Sequence, residues 1–223
     1  MTSPQLYNPA AFRVADHALL SAVVEGTVFG TLLSNGPDGP QASHLPFLLN
    51  PVPGTPGMLR GHLARANDHW PALAGTPVLV LFQGPAHYVS PGWYASKQQT
   101  GRVVPTWNYV VVHARGRAQT YDDPVRLRAL VEALTARMEQ GRPNPWSVDD
   151  APADYIDALT RQIVGIDIEL NALEGKFKLG QNRSAPDRGS LAAGLEQEQP
   201  ALWRRVRTLL DEQAAADSRG AAD

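Results

Sequence analysis

Thr27-Val-Phe-Gly-Thr-Leu-Leu-Ser-Asn-Gly-Pro-Asp-Gly-Pro-Gln-Ala-Ser-His-Leu-Pro-Phe-Leu-Leu49 is the stretch whose reading decides the fold class. Residues 27–34 are β-branched and apolar, which suits a half-buried pleated strand. The run Asn35-Gly-Pro-Asp-Gly39 is turn chemistry, with glycines that tolerate positive φ and a proline that presets a bend. Residues 42–49 return as a second strand. Two strands this close in sequence form a hairpin and are therefore antiparallel.

Working outward, residues 51–57 hold three prolines and two glycines and read as a loop. Residues 58–63 read as a third strand. Residues 77–83 are nearly all apolar, as expected of a central strand buried on both faces, with Gly84-Pro85 as a bulge before a short strand over 86–90. Residues 91–105 look irregular, and 107–120 form a long strand centred on Val110, Val111 and Val112. Short links and few intervening helices predict an antiparallel barrel in place of a doubly wound sheet. Upstream, residues 9–24 read as an entry segment and a helix capped by Asp16 and ended by Gly26.

Downstream the pattern turns helical. Asp122-Asp123-Pro124 starts a helix with Leu127, Leu130, Val131, Leu134 and Met138 on one stripe. Asp149 or Asp150 with Pro152 starts another, with Tyr155, Ile156 and Leu159 inward. Residues 164–170 alternate and supply a strand that closes the barrel. Residues 175–183 read as a polar basic loop. Leu202, Val206 and Leu209 mark a last helix. The expectation is a single α+β, mainly β domain over 1–223, with interlocked halves. Residues 1–121 carry most barrel strands, 122–210 the helices, closing strand and basic loop, and 211–223 a frayed tail.

Composition narrows the function classes. Of 223 residues 43% are hydrophobic, enough for a sizeable core, and 20 basic against 22 acidic residues give a net charge of −2. Such a balance argues against a broad nucleic-acid face. Absence of cysteine removes disulfides, thiolate metal sites and cysteine nucleophiles, and fits a reducing compartment. The N-terminus lacks a signal-peptide pattern, and no apolar run approaches the roughly 20 residues of a membrane span. These features predict a soluble cytoplasmic protein.

The densest polar motif is His62-Leu-Ala-Arg-Ala-Asn-Asp-His-Trp70. A strand opening into a short helix that ends near Leu73 would present unpaired N–H groups to an anion, above all a phosphate. Arg65 adds a charged fork and Asn67 an amide. Dinucleotide, Walker and GxSxG fingerprints are missing. His62 and His69 lie seven apart, outside the spacing of a zinc helix, so no metal is assigned. The aromatic clusters at 90–94 and 105–109 suit either barrel-end packing or a wall for a flat conjugated ring. A basic loop such as 175–183 is ordinarily solvated; its mixed donors also suit an anion or a subunit contact.

Six motifs, in consistent order, carry a family resemblance. They are Gly61-His-Leu-Ala-Arg-Ala-Asn67, Phe82-Gln-Gly-Pro85, Ser90-Pro-Gly-Trp-Tyr94, Val104-Pro-Thr-Trp-Asn-Tyr109, Pro145-Trp-Ser147, and Leu173-Glu-Gly-Lys176 with Gln181-Asn-Arg183. From about Tyr7 to about Gln197 the chain resembles the PaiB-type, FMN-binding negative transcriptional regulators. Gly180 departs from the expected serine and Asp68 from a frequent proline, which weakens an anion role for the basic loop. The resemblance implies an antiparallel split β-barrel of the pyridoxamine phosphate oxidase-like superfamily with peripheral helices, a homodimer, and FMN at the dimer interface.

By motif, His62, Leu63, Ala64, Arg65 and Asn67 would meet the FMN phosphate and ribityl chain. His44 and Leu45, in the strand reaching Phe47, would line the isoalloxazine edge. Trp107 and Asn108 would come from the partner subunit, and Lys97, Lys178 and Arg183 are secondary cofactor candidates. No catalytic residue is assigned. Without a basic helix or helix-turn-helix, regulation would run through a partner or the flavin redox state. The alternatives are an FMN-dependent oxidoreductase, with His44 and His62 as the acid–base groups to test, and a haem-binding or haem-degrading split barrel with a histidine axial ligand.

Overall fold

The structure of the protein, a computed structural model, describes residues 6–220. Its strands are β1 Arg13–Val14, β2 Phe29–Gly36, β3 Gly39–Pro46, β4 Leu48–Asn50, β5 Met58–Ala64, β6 Pro77–Val89, β7 Thr106–Tyr121 and β8 Ile163–Lys178. They form one eight-stranded sheet in the order β3-β2-β6-β7-β8-β5-β4, with β1 added to β8. The helices are α1 His17–Thr27, α2 Lys97–Thr100, α3 Pro124–Glu139, α4 Ala153–Thr160, α5 Ala185–Glu198 and α6 Pro200–Gly220.

The hairpin forms as expected, antiparallel from Phe29↔Pro46 to Gly36↔Gly39, with Gly39 at φ +122°. Its edges are shifted. Helix α1 runs through Gly26 to Thr27, and Val28, at φ 58°, makes the break before β2. The expected second strand over 42–49 is two strands. Phe47 N still donates to Val28 O at 2.9 Å, the left-handed Val28 ends β2 there, and residues 48–50 pair with β5 instead.

The chain packs as two compact units. One holds Val24–Phe82 and His113–Leu173. The other holds the described residues up to Val23, Gln83–Val112, and Glu174 onward. Strands β6, β7 and β8 each run through both units.

In the first unit, Leu32, Leu59, Val80, Phe82, Ile166 and Ile168 are fully buried. Phe47 meets Phe82 edge-on at 6.0 Å. Asp123 caps α3 by accepting from Arg126 N at 2.8 Å, and Leu127, Leu130 and Leu134 face inward. Met138 is exposed, as are Tyr155 and Leu159, which the sequence places inward. Helix α4 has only eight residues and buries Ile156 and Thr160. Asp149 and Asp150 sit in a separate 3-10 turn, Val148–Asp150, with a capping box on Ser147.

The second unit differs more from expectation. Strand β6 is one continuous strand where two were expected, and its buried side changes phase at Gln83–Gly84, from Val78, Val80 and Phe82 to Pro85, His87 and Val89. Gly84 lets β7 approach, since a Cβ there would lie 3.0 Å from that of Val110. Strand β8 runs on through Lys178, so residues 175–178 are strand and not loop. Helix α5 was not anticipated. Ser184 caps it, Pro186 sits in its first turn, and Leu191 and Leu195 are buried. Helix α6 continues through Gly220 instead of fraying from 211, and residues 221–223 of the expected tail lie outside the described residues.

Candidate functional site

Strand alternation sorts the residues expected at the flavin. On β5, Leu59, Gly61 and Leu63 are buried while His62 lies on the half-exposed face. A side chain at Gly61 would meet Pro46 O at 2.9 Å, so glycine permits the close passage of the chain beside β5. His62 Nδ1 is buried and has no hydrogen-bond partner, and burial lowers the imidazole pKa. On β3, Leu45 points into the core while His44 is exposed, its Nδ1 3.1 Å from Thr31 Oγ1. Ala64 ends β5, exposed.

The turn after β5 is heavily tied down. Arg65 N donates to Gln162 O at 2.7 Å and Asn67 N to Ala64 O at 2.9 Å. Asn67 Oδ1 accepts from His69 N at 2.9 Å, and its Nδ2 donates to Ser43 Oγ at 3.2 Å. His69 is 4% exposed, with Nε2 and Nδ1 each 2.8 Å from the hydroxyls of Ser34 and Ser43. Trp70 Nε1 donates to Arg65 O at 2.8 Å. The helix expected here is a three-residue 3-10 turn, Trp70–Ala72. So short an element has no helix dipole to offer an anion, and several of its N–H groups are already used.

Positive charge at this turn comes from Arg65. Its Nε donates to Arg161 O at 2.9 Å and Nη2 to Ile163 O at 3.1 Å, tying the turn to the start of β8. Nη1 lies 3.8 Å from the exposed Asp122 carboxylate. The side chain borders a cavity of about 590 Å³ that Arg128, Arg161 and Asp157 also line. None of the other residues expected at the cofactor lines that cavity.

The remaining candidates belong to the second unit. Trp107 is 58% exposed and meets Tyr88 edge-on at 6.1 Å. Asn108 is 2% exposed, yet its Nδ2 has no partner. Lys178 Nζ donates to Thr106 Oγ1 at 2.6 Å. The Arg183 guanidinium lies 4.7 Å over the Tyr94 ring. Lys97 opens α2 and is exposed.

Three polar residues of this unit were not among the expected cofactor contacts. Asp187 accepts from Ser96 N and Ser96 Oγ, both at 2.9 Å, and so pins the segment that carries Lys97 to α5. The Ser96 N–H is the main cause that holds the Asp187 carboxyl below its ordinary range. Lys176 is buried, donating to Tyr7 O at 2.9 Å with its ammonium 5.5 Å from the Tyr109 ring centre. His87 is 2% exposed with neither ring nitrogen partnered, and burial lowers its pKa. Simple alternation from Val78, Val80 and Phe82 would turn His87 outward; its burial follows the phase change at Gln83–Gly84, and the other two depend on tertiary contacts.

The family whose model is described as "Putative FMN-binding domain" matches residues 6–172. The chain belongs to this family. As an FMN-binding domain it is 30% identical over 211 residues to protease synthase and sporulation protein PAI 2 of Bacillus subtilis, covering 93% of this chain and 97% of that protein. It is also 36% identical over 199 residues to an uncharacterized protein of Aspergillus fumigatus, covering 70% and 76%. Among solved structures, it resembles the FAD and heme binding protein of Mycobacterium smegmatis, with TM-score 0.55, 17% identity and 82% and 80% coverage. It also resembles the flavocytochrome Anf3 of Azotobacter vinelandii, with TM-score 0.53, 15% identity and 78% and 71% coverage. These likenesses show the fold, the antiparallel split-barrel class expected from the sequence, and the bound cofactor of the family is FMN. The match to the Bacillus protein extends beyond residue 172, into the segment that carries Lys178 and Arg183.

Proposed function

We propose that the chain is a dimeric, soluble cytoplasmic flavoprotein of the PaiB type, with FMN at the subunit interface and regulation exerted through flavin redox state or a partner protein. The observation that carries this reading is His62. Its Nδ1 is held out of water with no protein partner on the half-exposed face of β5. A buried polar atom without a partner costs stability, and a ribityl hydroxyl or flavin ring atom would satisfy it.

The other donors fit FMN in graded ways. Arg65 would turn Nη1 from the exposed Asp122 carboxylate, 3.8 Å away, to the phosphate, while its other nitrogens fix its direction. Leu63 and Ala64 offer backbone beside it. Asn67, fully engaged with Ser43 and His69, shapes the turn. His44 offers its ring beside the isoalloxazine, and Leu45 packs behind it. Trp107 and Asn108 of the partner subunit would complete the site. Support comes from the exposed Trp107–Tyr88 pair, which a second surface would cover. Lys97 is free to reach an anion, whereas Lys178 and Arg183 are committed to Thr106 and Tyr94. Bound FMN supplies the redox chemistry, and these side chains bind and orient it.

A regulatory role takes its support from the likeness to the Bacillus sporulation protein. No described helix is long and apolar enough to cross a membrane. The purified protein is expected to be yellow, with flavin absorption bands, and to run as a dimer in light scattering. A Soret band would replace this reading with the haem alternative. A DNA gel shift weakening steeply with salt would show direct phosphate contact and overturn the indirect regulatory route.

A further inference from the structure

We propose that the cavity between α5, α6 and the N-terminal 3-10 turn Ala10–Phe12 is a binding site for a small aromatic carboxylate, separate from the flavin. The cavity measures about 780 Å³ and lies wholly within the second unit. That is the size range of small-molecule pockets, which pair apolar walls with a few polar groups. Small residues open it on one side: Ala185, Gly189 and Ala192 recur at one face of α5. Across from them α6 contributes Trp203 and Leu210, a flat ring and an aliphatic wall.

The charge selects an acid. Arg13 and Arg188 both line the cavity, and each donates to a backbone carbonyl, of Asn8 at 3.2 Å and Arg183 at 3.1 Å. Among the described residues neither guanidinium forms an ion pair with a carboxylate, and Asp217 is the one acidic residue of the lining. A carboxylate on an apolar ring matches that combination, since guanidinium groups recognise carboxylates by forked, charge-assisted bonds. The wall also carries the amide pair in which Gln181 Nε2 donates to Gln213 Oε1 at 3.1 Å. Gln181 Nε2 donates as well to Phe177 O at 2.6 Å, which connects the cavity wall to the end of β8.

The test is calorimetric titration of the full chain, saturated with FMN and again without it, using 2-naphthoate and the uncharged 2-naphthalenemethanol. The expected result is saturable binding of naphthoate, once per chain and at least about tenfold tighter than the alcohol. The double variant R13Q/R188Q should lose that preference. A Cβ at Gly189 meets nothing within 4 Å, so Gly189→Leu has room to enter the cavity and should abolish both bindings without lowering the melting temperature. Ala214→Leu, on α6, provides the same block should that variant melt early. No saturation by naphthoate near about 1 mM, equal affinity for the two probes, or full binding to the filled variants would each overturn the proposal. Because the titration needs no flavin, its failure leaves the FMN reading untouched.

Discussion

The turn after β5 and the neighbourhood of β6 and the start of β7 treat polar groups in opposite ways. At the turn, His69 and Asn67 use their side-chain nitrogens and oxygen on protein partners, and Arg65 commits two of its nitrogens. In β6 and β7, His87 and Asn108 are buried with polar atoms unpartnered, and Trp107 and Tyr88 face outward. The difference teaches that the first region is a finished scaffold, holding its shape before any ligand arrives. The second carries buried polar atoms without protein partners together with an exposed aromatic pair.

If that contrast holds, the largest loss of stability comes from breaking the scaffold. His69→Ala removes the imidazole between two buried serines and is expected to cost about 2–4 kcal/mol, combining a cavity with stranded hydroxyls. Chemical denaturation measures it, and a loss below about 0.5 kcal/mol would show that the network is incidental. Arg65→Ala should weaken FMN binding by about 1.5–3 kcal/mol through its charge-assisted bonds. It should also loosen the turn, so Arg65→Lys separates the roles: charge is kept while the fork on Arg161 O and Ile163 O is lost.

The other region should respond in association more than in folding. Trp107→Ala is expected to shift the dimer toward monomer in light scattering while changing monomer stability by less than about 0.5 kcal/mol. A dimer that persists unchanged would remove Trp107 from the interface. The smallest effect concerns pH. Burial depresses the pKa of His62, His69 and His87, so the unfolded chain binds protons more readily than the native one. Stability is therefore full above the ordinary histidine value of about 6.5 and is lost as pH falls through that value toward the depressed native ones. His87→Leu should flatten part of that slope in melting curves between pH 7 and 5.5, and an unchanged slope would show that His87 does not contribute.

Much of the fold was legible because it rests on local rules. Asn35 to Gly39 could only turn, and the β-branched runs beside it could only pair. Asp123-Pro124 marked the start of α3 and the apolar stripe its inner face. Where long-range packing decides, the sequence misled. Gly84-Pro85 reads as a break between two strands, but β6 runs on through it, with its buried side changing phase there and Gly84 closely approached by Val110. Residues 175–178 read as a basic loop because lysines suggest solvent, yet Lys176 is buried beneath Tyr7 and Tyr109. Helix α5 has a weak apolar stripe and was passed over, although Ser184 and Pro186 announce its start. The anion motif was found by its donors, while their directions, above all the tether of Arg65 to β8, needed the fold.

The central claim, that His62 and Arg65 belong to an FMN site, is tested most directly by titrating FMN into flavin-free protein and following flavin fluorescence. The account predicts saturable uptake of one FMN per chain, weakened about tenfold or more in Arg65→Ala. His62→Ala should show a smaller loss. A protein that leaves added FMN free in solution, or that binds it equally well without both side chains, would contradict it.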